Sequence, residues 1–382
     1  MVKRAFRLVK WPLILPLLAL PALIGCGESA PPPTPLSDAA LAAVVKQPGV
    51  TREKLARAVD MLFSDAAAAD TRAVLVLHEG RIVAERYAAP YHENTRFVSW
   101  SMAKSVTGVL IGLLVADGRL RLDESVPVPA WQRSGDPRGE ITLRQLLQMR
   151  SGLRHVEEDD PVFEADTVRM LFLDGRDDMA AYAEAQPLED EPGAKFEYSS
   201  ATTVILADLA ARALTESRDP ALRRQAVTDY LRTRLFEPLG MKSMLPEFDA
   251  AGTLIGGSLM QGTARDWAKF GEFLRVGGSV KGAQLIPRSW IAFMTSPSPR
   301  NPGYGAQIWL NRPQPDGHEA LFPDKGPSSI FACIGHLGQY IVVSPQQRLT
   351  VVRLGKTADD ARGAVRNRLA QIVGLFPKAP SD

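Results

Sequence analysis

Cysteine is scarce in this chain of 382 residues: there are two, Cys26 and Cys333, and if Cys26 carries lipid, Cys333 has no partner and the fold needs no disulfide. An excess of one charge is also missing. The 45 Lys and Arg are balanced by 43 Asp and Glu, with no basic stripe interleaved with aromatics, which excludes a strong general field for nucleic acid. No apolar run has the length of a membrane span. The longest near the N-terminus, Trp11 to Ile24, has about 14 residues where a spanning helix needs about 20, and Pro12, Pro16 and Pro21 interrupt it. There is no internal repeat and no G-x-S-x-G, so a strand-to-helix nucleophile elbow has no support. No standard metal-ligand spacing is present. His155-Val156-Glu157-Glu158-Asp159-Asp160 reads as a solvated acidic loop, at most a rim to a cleft, and neither metal nor cofactor is expected. His78, His92 and His318 have no visible partners in the sequence, and Cys333, inside Ile330–Ile334, reads as a small buried hydrophobe.

What is present begins with an export pattern. Lys3, Arg4, Arg7 and Lys10 precede the short apolar run, as in a signal peptide. The run ends in Leu23-Ile24-Gly25-Cys26, which resembles a bacterial lipobox whose cysteine is lipidated. Pro31, Pro32, Pro33 and Pro35 then make a stiff tether. The expected organisation is a signal peptide over 1–25, a lipidated tether over 26–37 and one folded domain over 38–382. The expected address is the periplasmic face of a membrane, with the outer membrane preferred because Gly27 rather than Asp follows Cys26. Membrane contact would be through the lipid anchor alone. The sequence does not give an oligomeric state.

Strand patterns lie at both ends of the folded part. Val74–Leu77 and Ile82–Ala84 flank Glu79-Gly80 as a hairpin, and Tyr340–Val343 and Leu349–Leu354 form a second across Ser344–Gln347. Ser101 to Ala116 has helical spacing, with Gly108 and Gly112 marking a close approach. A terminal helix is expected over roughly 358–375, and mainly helical pattern over roughly 120–260. The predicted fold is α/β of the α+β kind: one antiparallel sheet built from both chain ends, flanked by helices, beside a helical region, with the chemistry in the cleft between them.

Ser101-Met102-Ala103-Lys104 is the centre of the chemistry. Residues three apart share a helix face, so the Lys104 amine reaches the Ser101 hydroxyl. A serine needs a base to take its proton, and a desolvated lysine can be that base. Glu197-Tyr198-Ser199-Ser200 follows a Pro-Gly turn and offers a phenol as proton relay. Gly335-His336-Leu337-Gly338-Gln339 opens the penultimate strand, where glycines let a substrate backbone come close.

In this order the three segments resemble the serine β-lactamase and penicillin-binding-protein superfamily, in its class C-like esterase branch. Leu143–Leu153, Gly256–Met260 and Thr263–Trp267 are similar to that branch, and Gly338–Val343 to its nylon-oligomer hydrolase-like members. The resemblance implies a β-lactamase/transpeptidase-like fold and a serine hydrolase of small esters or amides, acting through an acyl-Ser101 intermediate. Lys104 would be the base and Tyr198 the relay. His336-Leu337-Gly338 would be the third motif, Ser200 and His336 would bind substrate, and the backbone N–H groups of Ser101 and Gln339 would form the oxyanion hole. Ser200 stands where the family usually has Asn, and His336 where Lys or Arg would grip a β-lactam carboxylate. Other readings stay open: a penicillin-binding or cell-envelope sensor protein with little turnover, or a true β-lactamase or D-aminopeptidase.

Overall fold

Alternation in Ala73-Val74-Leu75-Val76-Leu77 decides the architecture. Neighbouring side chains on a strand point to opposite faces, and here both sets are buried, so the sheet must be covered on both sides. The computed structural model describes residues 35–380 apart from 69 and 318. The expected signal peptide and Cys26 lie outside these residues, as do His318 and all but the last three positions of the expected tether. From Leu36 onward the chain forms one compact unit.

Six strands make the main sheet: β1 (Thr71–His78), β2 (Arg81–Tyr87), β3 (Trp309–Leu310), β4 (Phe331–Gly335), β5 (Gln339–Ser344) and β6 (Leu349–Gly355). Their order is β2-β1-β6-β5-β4-β3 with every neighbour antiparallel. Strands from the two chain ends therefore meet in the middle, where Val74 pairs with Arg353. The β1–β2 turn is Glu79-Gly80, both at positive φ, and the β5–β6 turn closes on Arg348 at φ 50°.

One face of the sheet packs Val74, Val76, Val342 and Val351 against Leu55 and Val59 of helix α1 (Arg52–Ser64) and Leu369 and Val373 of the terminal helix. The other face packs Leu75, Ile341, Val352 and Leu354 into the larger core, which it shares with three more helices. These are α2 (Ala103–Ala116), α3 (Ser200–Leu214) and α4 (Ala264–Arg275). The terminal helix, α5, runs over Arg362–Leu375; its expected first residues form a 3₁₀ turn at Asp359–Ala361 instead.

Helix α2 is buried along its length except near its C-terminal end. The close approach expected at its glycines is present. A Cβ on Gly112 would lie 2.2 Å from the Trp290 indole nitrogen, and that indole donates to the Gly108 carbonyl at 3.1 Å. The helix does not begin at Ser101: Trp100–Met102 is a 3₁₀ turn that leads into α2. A small second sheet fixes this turn. Arg96–Val98 pairs with Met260–Thr263, and Ser99 continues the attachment with its N–H on Met260 O at 2.7 Å and its hydroxyl on Ser258 O at 2.9 Å.

Candidate active site

The Trp100–Met102 turn presents Ser101 beside the buried first turn of α2. Trp100 has φ 46°, a left-handed conformation that is strained for a bulky residue. The fixed Ser99 on one side and α2 on the other hold it there.

Lys104 is 1% exposed. Its amine donates to Ser101 Oγ at 2.9 Å, Ser200 Oγ at 2.8 Å and Gly257 O at 2.9 Å. Three acceptors match the three protons of an ammonium. Burial lowers its pKa to about 8, against the opposing pull of Glu157. The amine also lies over the Tyr198 ring, 4.8 Å from its centre. Tyr198 is wedged against Trp309 and Tyr304 at ring distances of 5.2 and 5.9 Å. Burial, and then the Glu157 charge, push its phenol far above the ordinary range, while a hydrogen bond with Ser101 pulls the other way. Ser101, Lys104, Tyr198 and Ser200 are thus brought together as the sequence predicts.

Glu157 is the member that sequence reasoning misread. The 155–160 stretch was expected to be solvated, but its first half is folded inward. Asp166 accepts from Val156 N at 2.9 Å and from the Tyr182 hydroxyl at 2.6 Å, which ties the loop down. His155 and Glu157, two apart in this loop, then come within hydrogen-bond reach of each other. Glu157 accepts from Ser200 N and from Ser200 Oγ, both at 2.7 Å, bonds His155 Nε2 at 2.8 Å, and lies 4.0 Å from the Lys104 amine. Burial alone would raise its pKa, but Lys104, His155 and Ser200 outweigh that and hold it at about 2. The i, i+2 spacing of His155 and Glu157 was the available signal.

The third segment is placed differently from expectation. Gly335, at the end of β4, touches the turn that carries Ser101: a Cβ there would lie 2.2 Å from Ser99 O. Gly338 faces away, towards Arg353 and Thr357. Gln339 pairs with Gly335 across the hairpin, and its buried amide is used up on His336 O, Leu337 O and Gly355 O at 3.1, 3.2 and 2.6 Å. The register of the β4–β5 hairpin thus puts Gly335, not Gly338, against the serine turn. Gly335→Ala is expected to lower kcat/KM at least about a hundredfold, roughly 2.7 kcal/mol, with a melting temperature that shows the fold intact. Activity within threefold of wild type would contradict this placement.

His336 is exposed at the rim, edge-on to Trp100 at 5.3 Å. Burial of part of the ring and the neighbouring Arg362 hold it below the ordinary imidazole range. Arg362 Nη2 lies 3.3 Å from His336 Nδ1, and the guanidinium is ion-paired with Asp359. Among the described residues, Glu158, His336 and Asp359 form one group whose ligand atoms lie within 4.8 Å of one another. All three are exposed, and Arg362 already brings a positive charge to them. Cys333 is buried as expected, and burial pushes its thiol up to about 12, which makes it a poor nucleophile.

An antiparallel sheet made from both chain ends, with a buried lysine bonded to a serine one helical turn earlier, defines a serine hydrolase of the β-lactamase superfamily. The chain belongs to the Beta-lactamase family, whose model matches residues 59–375. It is 24% identical over 309 residues to a 6-aminohexanoate-dimer hydrolase of Paenarthrobacter ureafaciens, covering 76% of this chain and 73% of that one. Among solved structures it is similar to a family VIII carboxylesterase, with TM-score 0.61 and 19% identity over 84% of this chain and 96% of that one. It is also similar to a penicillin-binding protein homologue from Caulobacter crescentus, with TM-score 0.60 and 17% identity over 85% and 96%.

Proposed function

We propose that this hydrolase cleaves a small ester or uncharged amide through a covalent acyl-Ser101 intermediate. The observation that carries the reading is the 2.9 Å contact between Ser101 Oγ and a lysine amine buried enough to lose its proton near pH 8. In acylation, free Lys104 amine takes the Ser101 proton as Oγ bonds the carbonyl carbon. The proton then passes by way of Tyr198 to the leaving oxygen or nitrogen as its bond to carbon breaks. Tyr198 keeps its proton at rest and so relays rather than stores charge. Water reverses the sequence and frees the acid. We assign the oxyanion donors to the Ser101 N–H and the His336 N–H, because Gly335 is the residue that abuts the serine turn. The Gln339 N–H, on the far side of the hairpin from that contact, loses the role. Ser200 remains at the site through Lys104, and His336 at its rim. The names of the relatives, a 6-aminohexanoate-dimer hydrolase and a carboxylesterase, fit the same reading.

A fluorophosphonate label, located by mass spectrometry, together with turnover of short-chain nitrophenyl esters and aminohexanoate oligomers, tests this. Label on a residue other than Ser101 would rule it out. A single burst of product with no turnover would favour a sensor instead.

The domain limits and address remain part of this proposal: export by residues 1–25, lipid on Cys26 and a tether to residue 37. Incorporation of a palmitate analogue should be lost in Cys26→Ala, and equal labelling of both chains would end the lipoprotein reading.

A further inference from the structure

Ser200 has a polar partner on each side. Its hydroxyl accepts from the Lys104 amine at 2.8 Å and donates to Glu157 Oε1 at 2.7 Å, so Ser101, Lys104, Ser200 and Glu157 form one hydrogen-bonded line. Glu157 is fixed at the far end by the Ser200 N–H and by His155, whose Nε2 also touches Thr167 Oγ1 at 3.1 Å. Ser200 Oγ is one of the three acceptors of the Lys104 amine, so the carboxylate that holds this hydroxyl also orients the amine. At 4.0 Å, Glu157 acts on the charge of the amine as well.

We propose that Glu157, acting through the Ser200 hydroxyl, is a positioning residue that aims the Lys104 amine at Ser101 and sets the pH at which that amine is free. This rests on the reading of Ser101 as nucleophile and Lys104 as its base. Glu157 would offset the ammonium formed when Lys104 takes the serine proton, which favours acylation, and would also retain the resting proton, which delays activity to higher pH. The two effects have opposite consequences for rate and for pH dependence, and together they distinguish a charge from a structural support.

The groups around this line are few. Lys104 faces Glu157, the Tyr198 ring and the neutral oxygens of Ser101, Ser200 and Gly257. Glu157 faces Lys104, His155 and Ser200, and its charge is felt by Tyr198, Tyr304 and His336. Glu158 and Arg362 act on His336 and Tyr198 from the rim. An opposite charge at this range moves a pKa by about 1–3 units. With Glu157 neutralised, the Lys104 amine should therefore lose its proton at lower pH.

The test is kcat/KM for p-nitrophenyl acetate, and the rate of fluorophosphonate labelling, from pH 5 to 9.5 in the full-length protein, with Ser101→Ala as blank. Wild type should rise with pH through about 8. Glu157→Gln should shift that limb down by at least about one pH unit and lower the plateau about tenfold. Ser200→Ala should move it the same way by less, and the double variant should add little to Glu157→Gln, as expected of residues acting in line. A fall in rate with the limb unmoved, or a limb moved upward, would overturn the inference. If Glu157→Gln did not fold, as judged by its melting curve, the limb of Ser200→Ala would decide by the same criterion. Retained activity in Ser101→Ala would instead defeat the underlying reading, so the two failures are separate.

Discussion

Ser101→Ala is expected to lower kcat/KM for the best ester by a factor on the order of a thousand or more, the usual consequence of losing a covalent nucleophile. Lys104→Ala should cost nearly as much, because the two form one device. Its loss also leaves the Ser200 hydroxyl and Gly257 O without their buried donor. The double variant should then be little worse than either single one. Steady-state rates with a nitrophenyl ester, and disappearance of the fluorophosphonate label from the 101-containing peptide, are the readouts. Ser101→Ala protein that kept most of its rate would show that another group attacks the carbonyl.

Nitrocefin is expected to be cleaved at least about a hundredfold less efficiently than the best small ester, equivalent to about 2.7 kcal/mol of transition-state binding. Two positions underlie this. Ser200 has a hydroxyl, already bonded to Lys104 and Glu157, where an amide would hold a lactam side chain. His336 is neutral at pH 7, with its pKa held down by partial burial and by Arg362. Arg362 does not restore a free positive charge, because Asp359 is ion-paired with it and Glu158 lies nearby. As pH falls below the ordinary imidazole value of about 6.5, His336 gains its proton and binding of anionic substrates should tighten. The measurement is binding to Ser101→Ala protein, which separates this effect from loss of the Lys104 base. Nitrocefin turnover equal to that of the ester, or an unchanged pH dependence of anion binding in His336→Ala, would refute this account.

Much of this is legible in the sequence, because it rests on local patterns. The short apolar, β-branched runs at 74–77 and 349–354 mark strands from both chain ends, and the three-residue step from Ser101 to Lys104 places amine on hydroxyl. What stayed hidden depends on distant partners. Glu157 looks solvated until Asp166 ties the loop down through the Val156 N–H. The turn that exposes Ser101 is fixed by a strand about 160 positions away, through the Ser99–Met260 bond. The choice between Gly335 and Gly338 depends on hairpin register, which two glycines flanking His336-Leu337 do not specify. Arg362 was read only as part of a helix, and its place beside His336 depends on how that helix docks.

The central pairing of β1 with β6 also bears on when the protein acquires its reactivity. The Arg353 guanidinium donates to the Thr71 hydroxyl across 282 positions of chain, and it holds the Gly338 carbonyl at 2.8 Å. A contact of this span cannot form before residue 353 has been made, and it closes one of the longest loops in the chain. A ribosome that has made Ser101, Glu157 and Tyr198 has therefore made no hydrolase: β4, which abuts the serine turn, and β6, which joins β5 to β1 and closes the sheet, are still to be synthesised. Premature termination before residue 349 would yield an inert product rather than a weakened enzyme, because Ser101 lacks its assembled surroundings until the final strand is in place.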